Sequence, residues 1–569
     1  MKIDFNPETK IWKSLDYPHG EYIKHFIGEV FLENVKKVRG DKVLEWHYDT
    51  GITKTMDEIY RDSITVAINL QRLGVKKGDV VVFYSMVNSK VSSLAMGALM
   101  LGAVVNFFET TFSRDAAKYT LNVLNPCVLL YEEKFKSAIL DVMKDIKLPC
   151  LKYQISIDGK SGVNVDNVLF KNISSFTQNN FRLPNLGDPL MQTAVLLFTS
   201  GSTGLPKAVA LSHAQMLHGV ISFWTQPNGK SILTPDSIIF SLSPIRWISQ
   251  VDLMLQSLLL GIKRVYASGF PAGEYGREVV RKGKVTHFFS PPSVFKEIIL
   301  SIEPFDLDAM SSVKFIYLGG EDPGQTVIDM ARKLAPQATI MRCYGMTELA
   351  GLACCDQHIN GGFIVPGVEI KLLDDNLKPV GPNEKGQLCF RFPMPFLGYH
   401  KIDNSKIYYS DGFLNTGDYG YMDDEKALHV LARYKDLVRT KEVILIPSEV
   451  EKLVCTLSSI FASTLVGYRT SNTDVEDKGA LYIVKQLQNT QANENEKLKS
   501  MEAMAAGQNQ EIENEVLKVE VKKLLEKHLK CNESCIIRLV NIIEKLPLTS
   551  CGKVDKPALI QLAKSLDME

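Results

Sequence analysis

The chain has 569 residues, more than one hydrophobic core usually supports, so at least two domains are expected. Hydrophobic residues make up 45% and charged residues 23%, which is typical of a globular protein and excludes disorder over most of the length. The 65 basic and 65 acidic residues leave a formal net charge of +0, which argues against a nucleic-acid partner and favours small-molecule ligands.

The N-terminus, MKIDFNPETK, has no apolar signal core, and no later apolar run is long enough to cross a membrane. The last residues, SLDME, are not an SKL-type peroxisomal signal. We therefore expect a cytoplasmic protein without a transmembrane segment, either a monomer or a homodimer.

The 10 cysteines are scattered without the dense spacing of a disulfide scaffold, which fits a reducing compartment. One group, His528, Cys531 and Cys535, has a spacing loosely typical of a metal site. It lacks a fourth ligand and follows a Lys/Glu-rich helical run, so zinc is only a minor alternative there.

From about residue 56, amphipathic helical stretches alternate with short β-branched runs such as DVVVFYS, CVLLYEE, TAVLLFTS and KFIYLGGE. This alternation predicts an α/β fold in which helices cover a mostly parallel sheet, with sites at the strand ends. After residue 360 the partial period-two pattern predicts a small antiparallel subdomain.

A domain boundary is expected near residue 435, which gives a large N-terminal domain, 1–434, and a small α+β C-terminal domain, 435–569. The C-terminal domain contains a polar stretch at about 488–514, with no aromatic residue and many Asn, Gln, Glu and Lys residues. This stretch is either a solvated loop or a separate charged helix.

The segment TSGSTGLPK predicts a phosphate-binding loop. Its candidate phosphate-binding residues are Thr199, Ser200, Gly201, Ser202, Thr203, Gly204 and Lys207. The glycines let the backbone turn tightly and direct N–H groups at an anion, while the hydroxyls donate and the lysine adds charge. It is not a Walker loop, because Pro206 precedes the lysine and Ala208 follows it. The alternative is a Ser/Gly-rich surface turn.

Four further segments follow this loop in order: LGGED, CYGMTELAG, NTGDYGYM with LARYKD, and PLTSCGKVDK. Together the five resemble the adenylate-forming superfamily of acyl-CoA synthetases, beetle luciferases and peptide-synthetase adenylation domains, over nearly the whole chain. The chain is most similar to luciferase-like and 4-coumarate-ligase-like acyl-CoA ligases. The resemblance implies ATP and Mg²⁺ as cofactors, coenzyme A as co-substrate, and a mobile C-terminal domain.

The resemblance assigns roles on the nucleotide side. Thr347 matches the family residue that contacts the α-phosphate, and Glu348 matches the one that helps hold Mg²⁺. Asp418 matches the aspartate that binds the ribose. The other matched nucleotide-binding residues are Gly319 and Gly320 beside the adenine, Tyr344 and Gly345 in the CYGMTELAG segment, and Arg433.

One nucleotide-side residue departs from the pattern. Glu321 stands where the family commonly has a small residue after the two glycines. Its carboxylate either reshapes the floor of the pocket or points to solvent.

The resemblance also covers the catalytic and tunnel residues. Lys553 matches the catalytic lysine that bridges the substrate carboxylate and the α-phosphate, and Lys435 or its neighbour Asp436 matches the hinge. Trp247 matches the aromatic gate between the acyl and pantetheine tunnels, for which core packing is the alternative. Lys441 matches the lysine that luciferases use for oxidation.

Glu442 stands where relatives carry a glycine that lines the pantetheine tunnel. A carboxylate there adds bulk, and it adds charge near a thiol that must react as a thiolate. Ala208 and Ala432 also replace glycines of the usual pattern, which is a milder change.

The expected activity is ATP-dependent activation of a fatty or aromatic acid to an acyl-adenylate, followed by transfer to coenzyme A. Two alternatives remain. One is an adenylate former that makes thioester poorly and acts as a luciferase-like oxygenase. The other is a non-catalytic relative that binds an acyl ligand.

Overall fold

The structure is a computed structural model of the chain. It describes residues 3–16, 20–159, 162–174, 178, 180–199, 205–269, 273–301, 307–358, 361–392, 394, 396–405, 407–440, 443–471, 474, 476–485, 499–529, 537–547 and 554–567. The chain folds into two compact units. The first comprises Met1–Glu384, Cys389–Asn415 and Met422–His429, and the second comprises Lys385–Leu388, Thr416–Tyr421 and Val430–Glu569.

Helices alternate with the strands from residue 56 onward, as the sequence pattern predicts. They are α1 (Ile27–Lys37), α2 (Met56–Arg72), α3 (Val91–Met100), α4 (Arg114–Leu124), α5 (Lys136–Met143), α6 (Val165–Val168), α7 (His213–Ser222), α8 (Ile248–Leu260), α9 (Gly273–Gly283), α10 (Pro292–Leu300), α11 (Gly324–Leu334), α12 (Pro447–Val454), α13 (Lys499–Leu529) and α14 (Lys556–Leu566). Thr55 caps the first turn of α2 through its side chain, which accepts from the Glu58 backbone N–H.

The strands are short, as is usual for α/β proteins. They are β1 (Asp4–Asn6), β2 (Ile11–Lys13), β3 (Val43–His47), β4 (Thr53–Thr55), β5 (Val80–Tyr84), β6 (Val104–Phe107), β7 (Val128–Tyr131), β8 (Tyr153–Ser156), β9 (Thr193–Thr199), β10 (Lys207–Ser212), β11 (Ile238–Ser241), β12 (Lys263–Tyr266), β13 (His287–Ser290), β14 (Phe315–Gly319), β15 (Thr339–Met346), β16 (Gly351–Asp356), β17 (Gly361–Ile364), β18 (Glu369–Leu373), β19 (Gly386–Arg391), β20 (Leu414–Met422), β21 (Leu428–Arg433), β22 (Val438–Arg439), β23 (Ile444–Leu445), β24 (Ile460–Tyr468), β25 (Lys478–Lys485) and β26 (Ile537–Ile542).

One sheet of the first unit has six strands in the order β10, β9, β6, β5, β7, β8. Its strands run parallel except β10, which is antiparallel to β9. Strands β5, β6 and β7 are buried at every residue. Burial on both faces is what a helix-covered parallel sheet requires, so the apolar runs predicted this part of the fold correctly.

A second sheet contains a parallel run in the order β15, β14, β13, β11, β12, β3. Beyond it the pairing becomes antiparallel, with β16 beside β15 and β17 beside β16. Strand β18 pairs antiparallel with β2, and β20 alternates between buried and half-buried residues along its length. The antiparallel region predicted after residue 360 is present.

The second unit is built on a three-stranded sheet in the order β24, β25, β26. Helix α13 packs Leu517, Val521 and Leu525 into its core at a four-residue spacing. Helix α14 lies against the same sheet, where the Tyr482 hydroxyl donates to the Leu559 carbonyl at 2.9 Å. These contacts give the unit its own hydrophobic core.

The polar stretch at 488–514 is helical from residue 499 onward, where it forms the first part of α13. Residues 488–498 lie outside the described residues. Within the part of the chain that the structure describes, no helix combines the length and apolar character needed to cross a bilayer.

A buried ion pair joins two neighbouring strands of the second sheet. Arg264 on β12 lies opposite Glu45 on β3, with Nη1 3.1 Å from Oε1 and both side chains 1% exposed. The Ser92 hydroxyl of α3 donates to the same carboxylate at 2.7 Å, and the guanidinium lies 4.7 Å from the Tyr266 ring centroid. Removing one member of such a pair leaves an uncompensated buried charge.

We expect Glu45→Leu to lower the free energy of unfolding by about 3–5 kcal/mol, because it leaves the charge of Arg264 buried in the core without its partner. The 4 tryptophans, Trp12, Trp46, Trp224 and Trp247, all belong to the first unit, so their fluorescence in urea reports this change selectively.

Arg39→Ala is the control for this substitution, since Arg39 and Asp41 form an exposed pair that contributes little to stability. Replacement of both Glu45 and Arg264 by leucine should restore much of the free energy of unfolding that Glu45→Leu loses. An effect of Glu45→Leu no larger than that of Arg39→Ala would contradict this role for the ion pair.

Candidate active site

The predicted phosphate-binding loop connects two paired antiparallel strands. Strand β9 ends at Thr199, β10 begins at Lys207, and these two residues are paired across the ladder. Both are half-buried at the mouth of the hairpin. Residues Ser200 to Gly204 lie outside the described residues, so the structure fixes the two ends of the loop.

Lys207 and Glu348 are brought together by an aromatic side chain. The Tyr399 hydroxyl donates to Glu348 Oε1 at 2.8 Å, and the Lys207 Nζ lies over the Tyr399 ring, 5.0 Å from its centroid. Glu348 is 7% exposed, so this charge-assisted bond offsets part of the desolvation of its carboxylate.

Sequence analysis did not select Tyr399. The residue lies in the segment LGYH, and that segment runs beside β10. Ala210 N–H donates to the Gly398 carbonyl at 3.0 Å, and His400 N–H donates to the Ala208 carbonyl at 2.8 Å. Gly398 has a φ of +101°, which favours glycine. The sequence feature that could have pointed to Tyr399 is the Gly–Tyr pair that follows a proline-rich segment.

Thr347 and Glu348 lie in a single 3₁₀ turn, Thr347–Leu349, directly after β15. The turn closes at Ala350, which has a φ of +56°. From α7, Gln215 Nε2 donates to the Glu348 carbonyl at 3.4 Å, so a hydrogen bond joins the turn to this helix. Both predicted residues therefore occupy the strand-to-turn position expected from the sequence.

Tyr344 and Gly345 precede that turn on β15. The Tyr344 ring stacks on Phe390 with centroids 5.8 Å apart. A Cβ at Gly345 would lie 2.2 Å from the Gly351 carbonyl oxygen, so only glycine fits this close approach.

The two glycines of LGGED lie at the end of β14. A Cβ on Gly319 would lie 3.0 Å from the Cys343 carbonyl oxygen, and Gly320 has a φ of +97°. Glu321 follows the two glycines and is half-buried. Its Oε1 accepts from the Ser293 N–H at 2.8 Å, in the first turn of α10, where a carboxylate is favoured by the helix dipole.

Asp418 and Arg433 meet in the second unit. Arg433 Nε lies 3.1 Å from Asp418 Oδ1, and Arg433 Nη1 donates to the Thr416 carbonyl at 3.2 Å. Asp418 is 4% exposed, and its N–H donates to the Thr416 hydroxyl at 3.0 Å. Asp418, the residue predicted to bind the ribose, and Arg433, another predicted nucleotide-binding residue, therefore lie side by side on the adjacent strands β20 and β21.

The predicted hinge lies in the 3₁₀ turn Tyr434–Asp436, where Lys435 is exposed. Its neighbour Asp436 forms an ion pair with α14, since its Oδ2 accepts from Lys556 Nζ at 2.9 Å. This bond ties the turn to the last helix of the second unit.

Trp247 is half-buried and stands at the cap of α8, where its carbonyl accepts from the Gln250 N–H at 3.0 Å. The Arg246 guanidinium lies 6.0 Å from the Trp247 ring centroid and forms an ion pair with Glu109.

Three other predicted residues, Lys441, Glu442 and Lys553, lie outside the described residues. Cys531 and Cys535 of the alternative zinc group also lie outside them. The third member of that group, His528, has Nδ1 2.9 Å from the Leu524 carbonyl of its own helix.

Comparison with known proteins adds independent findings. The profile of the family described as "AMP-binding enzyme" matches residues 31–400. Probable 4-coumarate–CoA ligase 3 of Dictyostelium discoideum is 25% identical over 430 residues, which cover 71% of this chain and 76% of the relative. Luciferin 4-monooxygenase of Photinus pyralis is 26% identical over 437 residues, 74% of this chain and 78% of the relative.

Solved structures with the same fold include the anthranilate CoA ligase AuaEII in complex with anthranoyl-AMP, with a TM-score of 0.79 at 18% identity, covering 96% of this chain and 99% of that one. The luciferase-like enzyme from the nonluminescent Zophobas morio mealworm has a TM-score of 0.67 at 27% identity, covering 74% and 98%. The predicted fold class is confirmed.

We expect Tyr399→Phe to lower the free energy of unfolding by about 1.5–3 kcal/mol, because it removes a hydrogen bond to a buried charged acceptor. Tyr408→Phe is the matched control, since its hydroxyl donates at 2.7 Å to a neutral acceptor, the Phe396 carbonyl. Tyr408→Phe should lower the free energy of unfolding by about 0.5–1.5 kcal/mol. Equal losses in tryptophan-detected urea unfolding would mean that the Glu348 bond is not charge-assisted.

Proposed function

The chain belongs to the AMP-binding enzyme family, and we propose that it is an acid–thiol ligase, an AMP-forming acyl-CoA synthetase. It uses ATP to convert a fatty or aromatic acid to an acyl-adenylate and then transfers the acyl group to coenzyme A. The products are acyl-CoA, AMP and pyrophosphate. The 4-coumarate–CoA ligases and the anthranilate CoA ligase among its relatives support this proposal.

The observation that carries the proposal is the Lys207–Tyr399–Glu348 group beside the hairpin loop. It places a cation over the face of one phenol ring and a buried carboxylate at the hydroxyl of the same ring. Such a pairing fits a polyphosphate that brings its own metal ion, because the lysine neutralises phosphate oxygens while the carboxylate faces the metal.

Mg²⁺ fits the residues present. The bond to Tyr399 uses one oxygen of the Glu348 carboxylate, and a carboxylate has a second oxygen with acceptor capacity. Mg²⁺ is usually held by one or two carboxylates together with substrate phosphates and water. When bound, the ion would neutralise charge on the departing pyrophosphate.

In the first half-reaction, a carboxylate oxygen of the acid attacks the α-phosphorus of ATP. The bond from this phosphorus to the bridging oxygen breaks, and pyrophosphate leaves with the electron pair. The Thr347 hydroxyl donates to the α-phosphate, and the Lys553 ammonium bridges it to the acid as negative charge builds. Asp418 accepts from the ribose hydroxyls, with Arg433 beside it. Positioning and preorganised charge supply most of the rate.

In the second half-reaction, the C-terminal domain rotates about Lys435 and withdraws Lys553. The thiolate of coenzyme A then attacks the acyl carbonyl carbon, the bond from carbon to the phosphate oxygen breaks, and AMP leaves. Trp247 would gate the tunnel through which the thiol arrives. Glu442 slows this step, because it places a carboxylate beside the approaching thiolate.

A luciferase-like oxygenase is the second candidate. Its support is the pair of luciferase relatives together with Lys441, which matches the lysine that luciferases use for oxidation. A measurement of light emission with acid and ATP, without coenzyme A, discriminates it from the ligase.

We expect Lys553→Ala to reduce acid-dependent exchange of pyrophosphate into ATP by about 100-fold or more, because it removes a preorganised charge from the transition state. Lys564→Ala, which changes an exposed lysine of α14, should leave the exchange rate intact. No exchange by the wild-type protein with any acid of a broad panel would overturn the adenylation proposal.

We expect Glu442→Gly to increase the yield of thioester per adenylate formed by about tenfold, equivalent to about 1.4 kcal/mol. Glu442→Gln separates the two causes, since it removes the charge and keeps the bulk. The measurement is acyl-CoA by mass spectrometry against pyrophosphate release. An unchanged ratio in both variants would show that Glu442 does not limit the second step.

A further inference from the structure

A cavity of ≈ 200 Å³ lies within the first unit, between α7, the turn after β15, and the end of β19 with the chain that follows it. Its buried wall includes His218 of α7, Leu349 of the turn, and Phe390, Met394 and Phe396. Protein interiors contain few voids larger than a water molecule. This cavity is several times larger than the roughly 30 Å³ share of one water molecule, so it has room for a small organic molecule.

The cavity reaches the surface of the unit, because four of its lining residues are accessible to solvent. Gly412 is exposed, and Arg391, Phe392 and Tyr408 are half-buried. A molecule in solution therefore has a route between these residues to the buried wall.

Two uncharged polar side chains of the wall already have partners within the protein. Gln215 Nε2 donates to the Glu348 carbonyl at 3.4 Å, and its Oε1 accepts from the Ser212 N–H at 3.2 Å. The Tyr408 hydroxyl donates to the Phe396 carbonyl at 2.7 Å. A ligand therefore needs no polar group to satisfy these side chains.

The ionisable groups of the wall disfavour an anionic ligand. Arg391 is already engaged, since its Nε donates to Glu369 Oε2 at 2.6 Å and its Nη1 donates to the Asp411 carbonyl at 3.0 Å. Burial lowers the pKa of His218 to about 4, so its imidazole is neutral at pH 7. The Glu348 carboxylate repels an anion. Burial of an anion without a cationic partner is strongly unfavourable, so the wall selects an uncharged molecule.

The remaining wall is largely aromatic. The His218 ring packs edge-on against Phe392 with centroids 5.9 Å apart, and Phe392 lies 6.2 Å from Phe390. Phe396 and Tyr408 complete this aromatic lining. Aromatic side chains make favourable edge-to-face and offset contacts with a further ring. An apolar cavity of about 150 Å³ is large enough to bind benzene, so this one accommodates a single substituted ring.

We propose that this cavity is a binding site for an uncharged aromatic molecule of one ring, distinct from the sites for ATP and the acid. The inference goes beyond the proposed function, because both of those substrates are anions. Neither the proposed gate, Trp247, nor Lys207 of the phosphate-binding loop lines the cavity. An occupant packs against Leu349 and so restrains the turn that carries Glu348, the proposed metal ligand.

The probe is toluene, and benzoate is its anionic counterpart, with a carboxylate in place of the methyl group. Toluene binding to the full-length protein is measured by titration calorimetry, alone and with saturating benzoate. We expect toluene to bind at one site and benzoate not to displace it. With any acid that supports pyrophosphate exchange, toluene should leave the KM for that acid unchanged.

Two variants change the space in the cavity. Met394→Trp fills part of the buried wall and should weaken toluene binding by about tenfold or more, because the ring loses burial. Phe392→Ala widens the accessible end and should admit naphthalene, a two-ring probe that the wild-type protein binds poorly. Tryptophan-detected unfolding verifies that each variant is folded.

Met143→Trp and Phe112→Ala are the matched controls. They make the same exchanges at half-buried positions of the first unit that do not line the cavity. Both should keep the wild-type affinities for toluene and naphthalene.

The inference is overturned if the wild-type protein does not bind toluene, if benzoate displaces toluene, or if folded Met394→Trp binds toluene as tightly as the wild type. Should Met394→Trp fail to fold, the decision passes to Phe392→Ala, and a lack of naphthalene binding by that variant refutes the site. Pyrophosphate exchange without toluene binding defeats this inference alone. Toluene binding without exchange for any acid defeats the proposed function alone.

Discussion

The hydroxyl of Tyr399 donates to the buried carboxylate of Glu348, while the ammonium of Lys207 lies over the same ring. A carboxylate that is 7% exposed loses most of its hydration, so its place in the fold depends on a donor with fixed geometry. The phenol can supply that donor only because its own segment is paired by backbone hydrogen bonds to β10, the strand that begins at Lys207. The turn after β15, the hairpin of the phosphate-binding loop and the LGYH segment are thereby held in one arrangement. The proposed chemistry needs this arrangement, since catalysis by positioned charge requires groups that do not reorganise during the reaction.

Three buried carboxylates of the first unit follow the same physical rule with different outcomes. Glu45 is paired with Arg264 and accepts from Ser92, so its charge is compensated within the core and serves the fold. Glu348 has one phenolic partner and retains capacity for a further ligand. Asp252 has no partner among the described residues, although an apolar residue of similar size would be more stable in its place. The number of partners therefore differs among these three carboxylates, although all of them are buried.

The absence of net charge has a consequence for phosphate binding. With equal numbers of acidic and basic residues, the protein has no long-range field that would concentrate a nucleotide, so the recognition groups must be local. In the proposed function these groups are Lys207 in the first unit and Arg433 in the second unit, where Arg433 Nε lies 3.1 Å from Asp418 Oδ1. That pairing orients the Asp418 carboxylate, which suits its proposed role as an acceptor for the two ribose hydroxyls.

The amino-acid sequence by itself determined the features that depend on local order along the chain. The β-branched runs specified the parallel sheets, because strands buried on both faces need apolar residues at every position. The apolar run TAVLLFTS specified β9, and CYGMTELAG placed Thr347 and Glu348 directly after the end of β15. Only the tertiary structure decided which partner each side chain meets. Tyr399 reaches Glu348 across 51 positions of sequence, Glu321 caps α10 by bonding Ser293, and Asp252 faces two glycines from separate segments. No periodicity encodes these contacts, because they arise from how distant elements pack, and packing is a property of the whole fold.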